Sequence, residues 1–346
     1  MRVGHPSPLH GDRGRSSSLS TDFGRTVLQP GLIWACRTTD GRTEMIEGCD
    51  SPGDCDFRWL HFNLADQRSL SWLERSIALP PAVLNLFTTQ DMEQRGLVEG
   101  GHVALVLHDF ERDFDWDDTG RIGALHIVAG PGLILTGRFH PLHSADVIRR
   151  RIAGELVLEG MSAALTLLLD ALVDTLEERV LKVAQGLLAA EDDLLSDGAS
   201  PDTRELITLR RLCTQLHRTA MGMRTTLMRM ESERGVPSEL LPLFARTSQR
   251  LQTIDHDIGG AQSQLRLLRD ELDLQAAQRA NRNLYFLSIM TALLMPATLV
   301  TGFFGMNTGG LPFAQGAMGT AIAGLLMVAS SVVTYFALRL MGFVRQ

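Results

Sequence analysis

The sequence predicts an α+β membrane protein with an N-terminal α/β domain, a long helical stalk and two C-terminal transmembrane helices. Strand-like apolar segments alternate with turns and helices across residues 30–160, and the apolar period becomes helical from Met161 onward. Two uncharged, mostly apolar runs then occupy residues 284–304 and 317–338. Each run has about the 20 residues that a helix needs to cross a bilayer core.

Residues 1–29 are rich in Gly, Pro, Ser and Arg, and we predict a disordered tail. This tail has no apolar segment of the kind found in a signal peptide. The formal net charge is -7 without a block of like charge, so nothing indicates nucleic acid as a partner. Acidic charge would concentrate cations near the soluble part, although ordinary solubility also explains it. The four cysteines are expected to be free thiols, since Cys49 and Cys55 lack zinc-site spacing.

The α/β domain, residues 30–160, contains apolar segments with the length and composition of strands. Four histidines in this domain lack metal-ligand spacing, and we interpret them as structural: His61, His102, His108 and His126. Helices are predicted at 65–77 and 143–153. The predicted strands are 31–36, 58–63, 102–108, 122–128 and 132–136.

A helical hairpin is predicted for residues 161–237. Its first helix ends near Ser196, and its second begins near Pro201 and ends near Glu233. Gly235 and Pro237 then interrupt the chain. The stalk helix is predicted for residues 238–283 and continues into the membrane. Its apolar residues follow a 3-4 spacing that requires packing against other helices, and they form the stalk seam: Leu251, Ile254, Ile258, Ala261, Leu265, Leu268 and Leu272.

The distribution of arginines predicts the orientation in the membrane. The segment that connects the two runs, within the loop 305–316, has no charge, whereas arginines flank both runs on their other sides. By the positive-inside rule both termini, including the tail 339–346, are cytoplasmic and the loop is outside. Two helices lying in the membrane interface are the alternative. The flanking arginines are Arg266, Arg269, Arg279, Arg282, Arg339 and Arg345.

From Asn281 through the first run, a set of residues recurs at intervals of 3 and 4, which places them on one side of a helix. Most of these residues are polar or small, and Leu284 and Met295 share the same side. Polar groups in a membrane helix are costly unless they face protein or water. They therefore form either a contact between helices or a water-lined path between copies of this helix. We call this set the polar stripe: Asn281, Leu284, Ser288, Thr291, Met295, Thr298 and Gly302.

Gly305-Met306-Asn307 follows the first run and favours the water-lined path. Gly305 is suited to the end of a helix, where backbone carbonyls carry partial negative charge. Asn307 adds a neutral amide oxygen. Neutral oxygens can hold the water shell of a divalent cation without trapping the ion. Pro296 frees a backbone carbonyl within the same helix, which neighbouring helices can compensate.

This organisation resembles the CorA-type divalent metal transporters, from about residue 30 to the end and most closely over 281–307. The resemblance implies a homopentamer in the bacterial inner membrane, with a funnel-shaped cytoplasmic domain and a pore lined by the first transmembrane helix. It implies that divalent cations are the cargo and that the protein needs no cofactor. The implied roles are Asn307 as the outer selectivity ring, Thr298 and Met295 as the next rings, Leu287 and Leu284 as the constriction, and Asn281 as the inner ring.

Within the family, the loop Thr308-Gly309-Gly310-Leu311-Pro312 resembles the ZntB branch because it has no carboxylate. Magnesium-type members usually carry carboxylates and aromatic residues there. Met306 departs from this branch, since some ZntB members have Val at that position. The resemblance implies zinc uptake, with or without proton coupling, and leaves export open. A CorA-type magnesium or cobalt channel is the alternative.

Two stalk residues, His256 and Asp270, lie in the phase of the polar stripe when it is extended backwards in sevens. They are candidates to meet incoming metal, and a solvated stalk surface is the alternative. A membrane-anchored helical scaffold without transport is the second functional alternative. We expect no enzyme, because no nucleophile–base pair, phosphate loop or zinc-protease helix is present.

Overall fold

The computed structural model describes most of the chain, including Gly305 and Met306 of the Gly-Met-Asn segment. Outside the described residues lie residues 1–28 of the predicted tail 1–29, residues 307–316 of the predicted loop 305–316 with Asn307, and Cys49, Cys55 and Pro201. The described residues are 29–46, 48, 56–112, 120–154, 157–196, 203–306 and 317–343.

The chain divides into two compact units. The first comprises residues 1–186 and 207–260, and the second comprises 187–206 and 261–346. We refer to them as the soluble unit and the membrane unit.

In the described part of the soluble unit, a seven-stranded sheet has the order β2-β1-β3-β7-β6-β5-β4. Neighbouring strands are antiparallel except β3 and β7, which are parallel. All five strands predicted from the sequence are confirmed. The bounds are β1 Leu32–Thr39, β2 Arg42–Ile46, β3 Phe57–Asn63, β4 Arg95–Glu99, β5 His102–Phe110, β6 Ile122–Gly130 and β7 Leu133–Arg138.

The sheet buries both of its faces, as alternation along β3 shows. Leu60 and Phe62 belong to an apolar core with α1 and α2, whereas Trp59 and His61 point to the opposite face and are equally buried. Helix α1 spans Gln67–Ser76 and begins at the N-cap Asp66, whose side chain accepts from the Arg68 backbone N–H. Helix α2 spans Pro81–Thr88, with proline at its start.

The remaining helices are long. The helix predicted at 143–153 is confirmed without a shift, and the helix predicted to end near Ser196 ends at Leu195. One helix, α6, runs through Pro296 without interruption and contains the adjacent pair Gly259 and Gly260, where an added Cβ would meet nothing within 4 Å. The bounds are α3 His143–Ala153, α4 Met161–Leu195, α5 Thr203–Ser232, α6 Leu241–Gly305 and α7 Ala317–Leu340.

The stalk seam of α6 is confirmed. Its members are buried except Leu272, which is half-buried. In the soluble unit a network of arginines and carboxylates also joins α6 to α4. Arg250 donates to Asp170, Asp174 and Glu177, each at 2.9 Å, and Arg246 donates to Asp170 at 3.0 Å.

Several buried polar groups of the sheet are hydrogen-bonded within the soluble unit. The His61 Nδ1 and the Trp59 Nε1 both lie within 2.9 Å of the Thr136 hydroxyl, and burial lowers the pKa of His61 to about 3. Asp109 accepts from the Ser144 backbone N–H at the start of α3, and burial raises the pKa of this carboxyl. The interpretation of His61 as structural is therefore confirmed.

Candidate functional site

The candidate site lies on the C-terminal third of α6, in the membrane unit. Among the described residues, α6 and residues 319–340 of α7 are long and apolar enough to cross a membrane. None of either apolar window is buried inside the chain. Leu284, Leu287 and Met295 expose 61%, 64% and 65% of their surface. Exposed leucines at this density favour contact with lipid or with other chains over contact with water.

All residues of the polar stripe are exposed. The other candidate residues that the structure describes, Leu287, Gly305 and Met306, are exposed as well. Asn307, the predicted outer ring, lies outside the described residues. The stripe therefore runs along the surface of this single chain from Asn281 to the end of α6 at Gly305.

Helix α7 packs on the opposite side of α6. The Ser331 hydroxyl lies 3.4 Å from the Leu293 carbonyl oxygen, and the half-buried residues of α6 recur on the side of Leu293. At 100° per residue, Leu293 is about 160° from Thr291. The polar stripe is therefore not the contact between these two helices. The half-buried residues are Ile289, Ala292, Leu293, Pro296, Ala297, Val300 and Phe304.

Sequence reasoning missed the matching face of α7. Its half-buried residues include small and hydroxyl side chains that allow two helix backbones to approach closely. Their 3-4 spacing is visible in the sequence. The same spacing on α6 belongs to the polar stripe, which faces away from α7, so spacing does not separate a contact between these two helices from an exposed stripe. The α7 face consists of Ala323, Met327, Ser330, Thr334 and Ala337.

A shallow groove of about 490 Å³ brings several predicted site residues together. Pro296 has no backbone N–H, so the carbonyl of Ala292 loses its partner in the helix, and both residues line this groove. The threonine hydroxyls instead donate within the helix, from Thr291 to the Leu287 carbonyl at 2.8 Å and from Thr298 to the Leu294 carbonyl at 3.0 Å. The lining residues are Leu287, Ser288, Thr291, Ala292, Met295 and Pro296.

The site offers uncharged ligands. Between residues 274 and 346 the sequence contains no Asp, Glu, His or Cys. The atoms along α6 beyond Asp273 that could bind a cation are therefore hydroxyl, amide and carbonyl oxygens and methionine sulfur. Tight zinc sites use Cys, His and carboxylate ligands, so this set is suited to a cation that keeps its water.

The two stalk candidates, His256 and Asp270, are both exposed on α6. Asp255, next to His256, bonds instead to His217 of α5, with 2.6 Å between Nδ1 and Oδ1. Within the described residues, no group of three or more His, Cys, Asp and Glu side chains is arranged to hold a metal ion.

Comparison with protein families places this geometry in context. The model of the family described as CorA-like Mg²⁺ transporter protein matches residues 54–340, which include strands β3 to β7, the stalk and both apolar helices. The chain belongs to this family.

Individual relatives are distant but match most of the chain. The zinc transport protein ZntB of Yersinia pseudotuberculosis is 25% identical over 274 residues, which cover 78% of this chain and 83% of the relative. The divalent cation transporter CmaX of Pseudomonas aeruginosa is 26% identical over 283 residues, which cover 78% of this chain and 82% of the relative. The structure of the CorA magnesium transporter from Methanocaldococcus jannaschii aligns with a TM-score of 0.75 at 16% identity, covering 90% and 98%. The last likeness concerns the fold.

Proposed function

We propose that this protein transports divalent metal cations across a membrane, through an axial pore lined by the polar stripe of α6 in a homopentamer. Membership of a family of membrane transporters with two C-terminal apolar helices supports the membrane location and the class of cargo. The observation that carries the pore assignment is the exposure of the whole stripe on the side of α6 that α7 leaves uncovered.

The chemistry of the stripe supports passage of a hydrated ion. Polar residues on a membrane helix need protein or water around them, and α7 supplies neither to Asn281, Ser288 and Thr298. Copies of α6 around an axis would enclose water at this surface. The threonine side chains already donate to their own helix, which leaves oxygen lone pairs for the water shell of a cation.

We propose zinc as the preferred transported ion, with magnesium and cobalt as alternatives. The relatives named as zinc transport proteins and the uncharged Gly309-Gly310 loop support zinc. The neutral donor set is equally suited to magnesium, and the CmaX relative is named for divalent cations in general. We further propose the bacterial inner membrane, cytoplasmic termini, and uptake with or without proton coupling.

Reconstituted flux tests the proposal. Purified protein in liposomes should move zinc, and the same vesicles loaded with magnesium or cobalt, with and without a pH gradient, rank the cargo and reveal any proton coupling. Absence of flux for all three ions under every gradient would refute transport.

The variant Asn307→Ala tests the proposed outer ring. It should change the order of ion preference or abolish flux, because an amide oxygen is removed from each subunit. The matched control is Asn283→Ala, an exposed asparagine on α6 two residues from Asn281 and outside the polar stripe. A loss of flux of the same size in both variants would argue against a specific role for Asn307.

The alternative is a membrane-anchored scaffold without transport, in which the stripe is a contact between helices of different chains. It predicts a small oligomer with Asn281 and Thr298 buried between two subunits. Cysteines introduced at both positions of the same chain, in a variant without the four native cysteines, would crosslink in both arrangements. A five-fold ladder of crosslinked products is expected for the pore, and a dimer alone for the scaffold.

A further inference from the structure

Arginines flank the start of the first apolar run and the end of the second, and no acidic residue accompanies them in the sequence after Asp273. Between residues 274 and 346 the sequence has arginines at 279, 282, 339 and 345 and no aspartate or glutamate. Arg345 lies outside the described residues, and the other three are exposed. The stalk arginine Arg269, in contrast, lies 3.9 Å from the carboxylate of Asp273.

The exposed arginines of α6 lie on the side of the helix that carries α7. At 100° per residue, Arg282 is about 20° and Arg279 about 40° from the angular position of Leu293. Leu293 is the residue whose carbonyl contacts Ser331 of α7. These two arginines therefore point away from the polar stripe and toward the end of α7.

Arg339, at the end of α7, lies at nearly the same height along the helix pair as Arg282 of α6. Phe304 is half-buried about 16 Å from Leu293, and Gly319 is buried about 18 Å from Ser331, so these covered ends coincide only if the two helices run antiparallel. At 1.5 Å per residue, Arg282 lies about 16 Å and Arg339 about 12 Å from the contact between Leu293 and Ser331, in the same direction. The two guanidinium groups thus belong to one level of the helix pair.

Aromatic side chains mark this level as a membrane surface. The guanidinium of Arg282 lies over the ring of Phe286, 5.7 Å from its centroid. Tyr285 and Tyr335 are exposed there, on α6 and α7 respectively. Tyr and Trp are typical of the boundary between hydrocarbon and headgroups, and arginine stems extend toward the same layer.

We propose that Arg279, Arg282 and Arg339 form a binding site for the phosphate headgroup of an anionic phospholipid, in the leaflet at this end of the helix pair. Guanidinium groups bind phosphate oxygens through paired, charge-assisted hydrogen bonds. No carboxylate follows Asp273 in the sequence, and within the described residues no ion pair involves these three arginines, so an external anion can bind them. The site lies outside the proposed pore, because it is on the side of α6 opposite to the stripe.

Lipid binding by the full chain tests the site without measuring transport. The chain is held in neutral detergent with phosphatidylglycerol or phosphatidylcholine, and bound lipid is counted by native mass spectrometry. The wild type should prefer phosphatidylglycerol. Each arginine near an anionic surface contributes about 5-fold in affinity, so Arg282→Gln with Arg339→Gln should weaken the preference about 25-fold. Replacement of both by lysine should keep most of it.

The matched control is Arg266→Gln with Arg269→Gln, which removes the same charge from exposed positions of the stalk. It should leave the preference unchanged. An equal loss in the control, or an unchanged preference in the Arg282 and Arg339 variant, would overturn the proposal. So would displacement of phosphatidylglycerol by an equal concentration of inorganic phosphate, which would indicate a site for free anions. A chain that binds phosphatidylglycerol but moves no cation would refute the transport proposal alone.

Discussion

In the sheet, His61 and Asp109 are buried and hydrogen-bonded to neighbouring strands and helices, whereas in α6 Asn281 and Thr298 are exposed on a side that no other described part of the chain covers. In the soluble unit these two side chains are covered and hydrogen-bonded by residues of the same chain. The membrane unit presents its polar residues outward, with apolar residues around them. The difference is consistent with a bilayer around the second unit and, under the proposed function, with further copies of the chain against the stripe.

The largest difference between the units should appear in stability. Trp59 is fully buried in the sheet, so Trp59→Ala should lower the free energy of unfolding by about 3–5 kcal/mol. Leu299 is 75% exposed on α6, and in detergent Leu299→Ala should change it by less than about 0.5 kcal/mol. Chemical unfolding of the full chain, followed by circular dichroism, measures both. Equal losses would mean that α6 is as tightly packed as the sheet.

Acid should act on the soluble unit through its buried histidines. Burial lowers the pKa of His61 to about 3 and that of His126 to about 4, below the ordinary value of 6.5. Below pH 6.5 the unfolded chain therefore binds protons that the folded chain does not, and stability falls with pH. Each histidine contributes a slope of about 1.4 kcal/mol per pH unit, down to its folded pKa.

His61→Gln should remove one such slope between pH 6.5 and 4, measured as the difference from wild type in unfolding free energy at each pH. This subtraction cancels the opposite contribution of Asp109, whose raised pKa lowers stability as pH increases. An unchanged slope in the variant would show that His61 gains a proton in the folded state.

The polar stripe should matter for flux and little for folding. Thr298→Val keeps the shape of the side chain but removes its hydroxyl, and zinc flux in liposomes should fall about 10-fold if that oxygen contacts the hydrated ion. Thr301 is a matched control, because its hydroxyl also bonds within α6, to the Thr298 carbonyl at 2.9 Å, but lies off the stripe. Equal effects of Thr298→Val and Thr301→Val would contradict a pore on this side.

The smallest expected effect concerns the ion-pair network. Arg250 is partly exposed and faces three carboxylates, so Arg250→Gln should destabilise the soluble unit by about 1 kcal/mol, and less at high salt. Lys182→Gln breaks an exposed pair with Glu178 and should cost about 0.3 kcal/mol. Thermal unfolding at two salt concentrations separates them. A salt-independent loss for Arg250→Gln would point to packing instead of charge.

The sequence predicted strands and helices well where their apolar patterns are long. The five predicted strands and the helix 143–153 are confirmed because buried residues dominate them. Strands β2 and β4 were missed, since both lie at the edges of the sheet and bury few side chains. Helix α2 was missed as well, because its eight residues are too few for a clear helical period.

The candidate site was predicted from spacing, from Gly305-Met306-Asn307 and from the family resemblance, and the limit of the spacing is visible in the two membrane helices. The same 3-4 pattern of small and hydroxyl residues occurs on α6 and on α7, but Ser330 and Thr334 face α6 whereas Ser288 and Thr291 face outward. Sequence periodicity gives the side of a helix and not its neighbour. The contact between Ser331 and Leu293 supplied the missing information.

Helix α6 carries Gly259 and Gly260 at the point where the two compact units meet along the chain. An alanine at either position would meet no atom within 4 Å, so close packing does not require glycine there. Glycine inside a helix weakens it by about 1 kcal/mol relative to alanine. The pair is therefore expected to make this part of α6 easier to bend than a helix of alanines, separately from the hydrogen bond that Pro296 removes nearer the end of the helix.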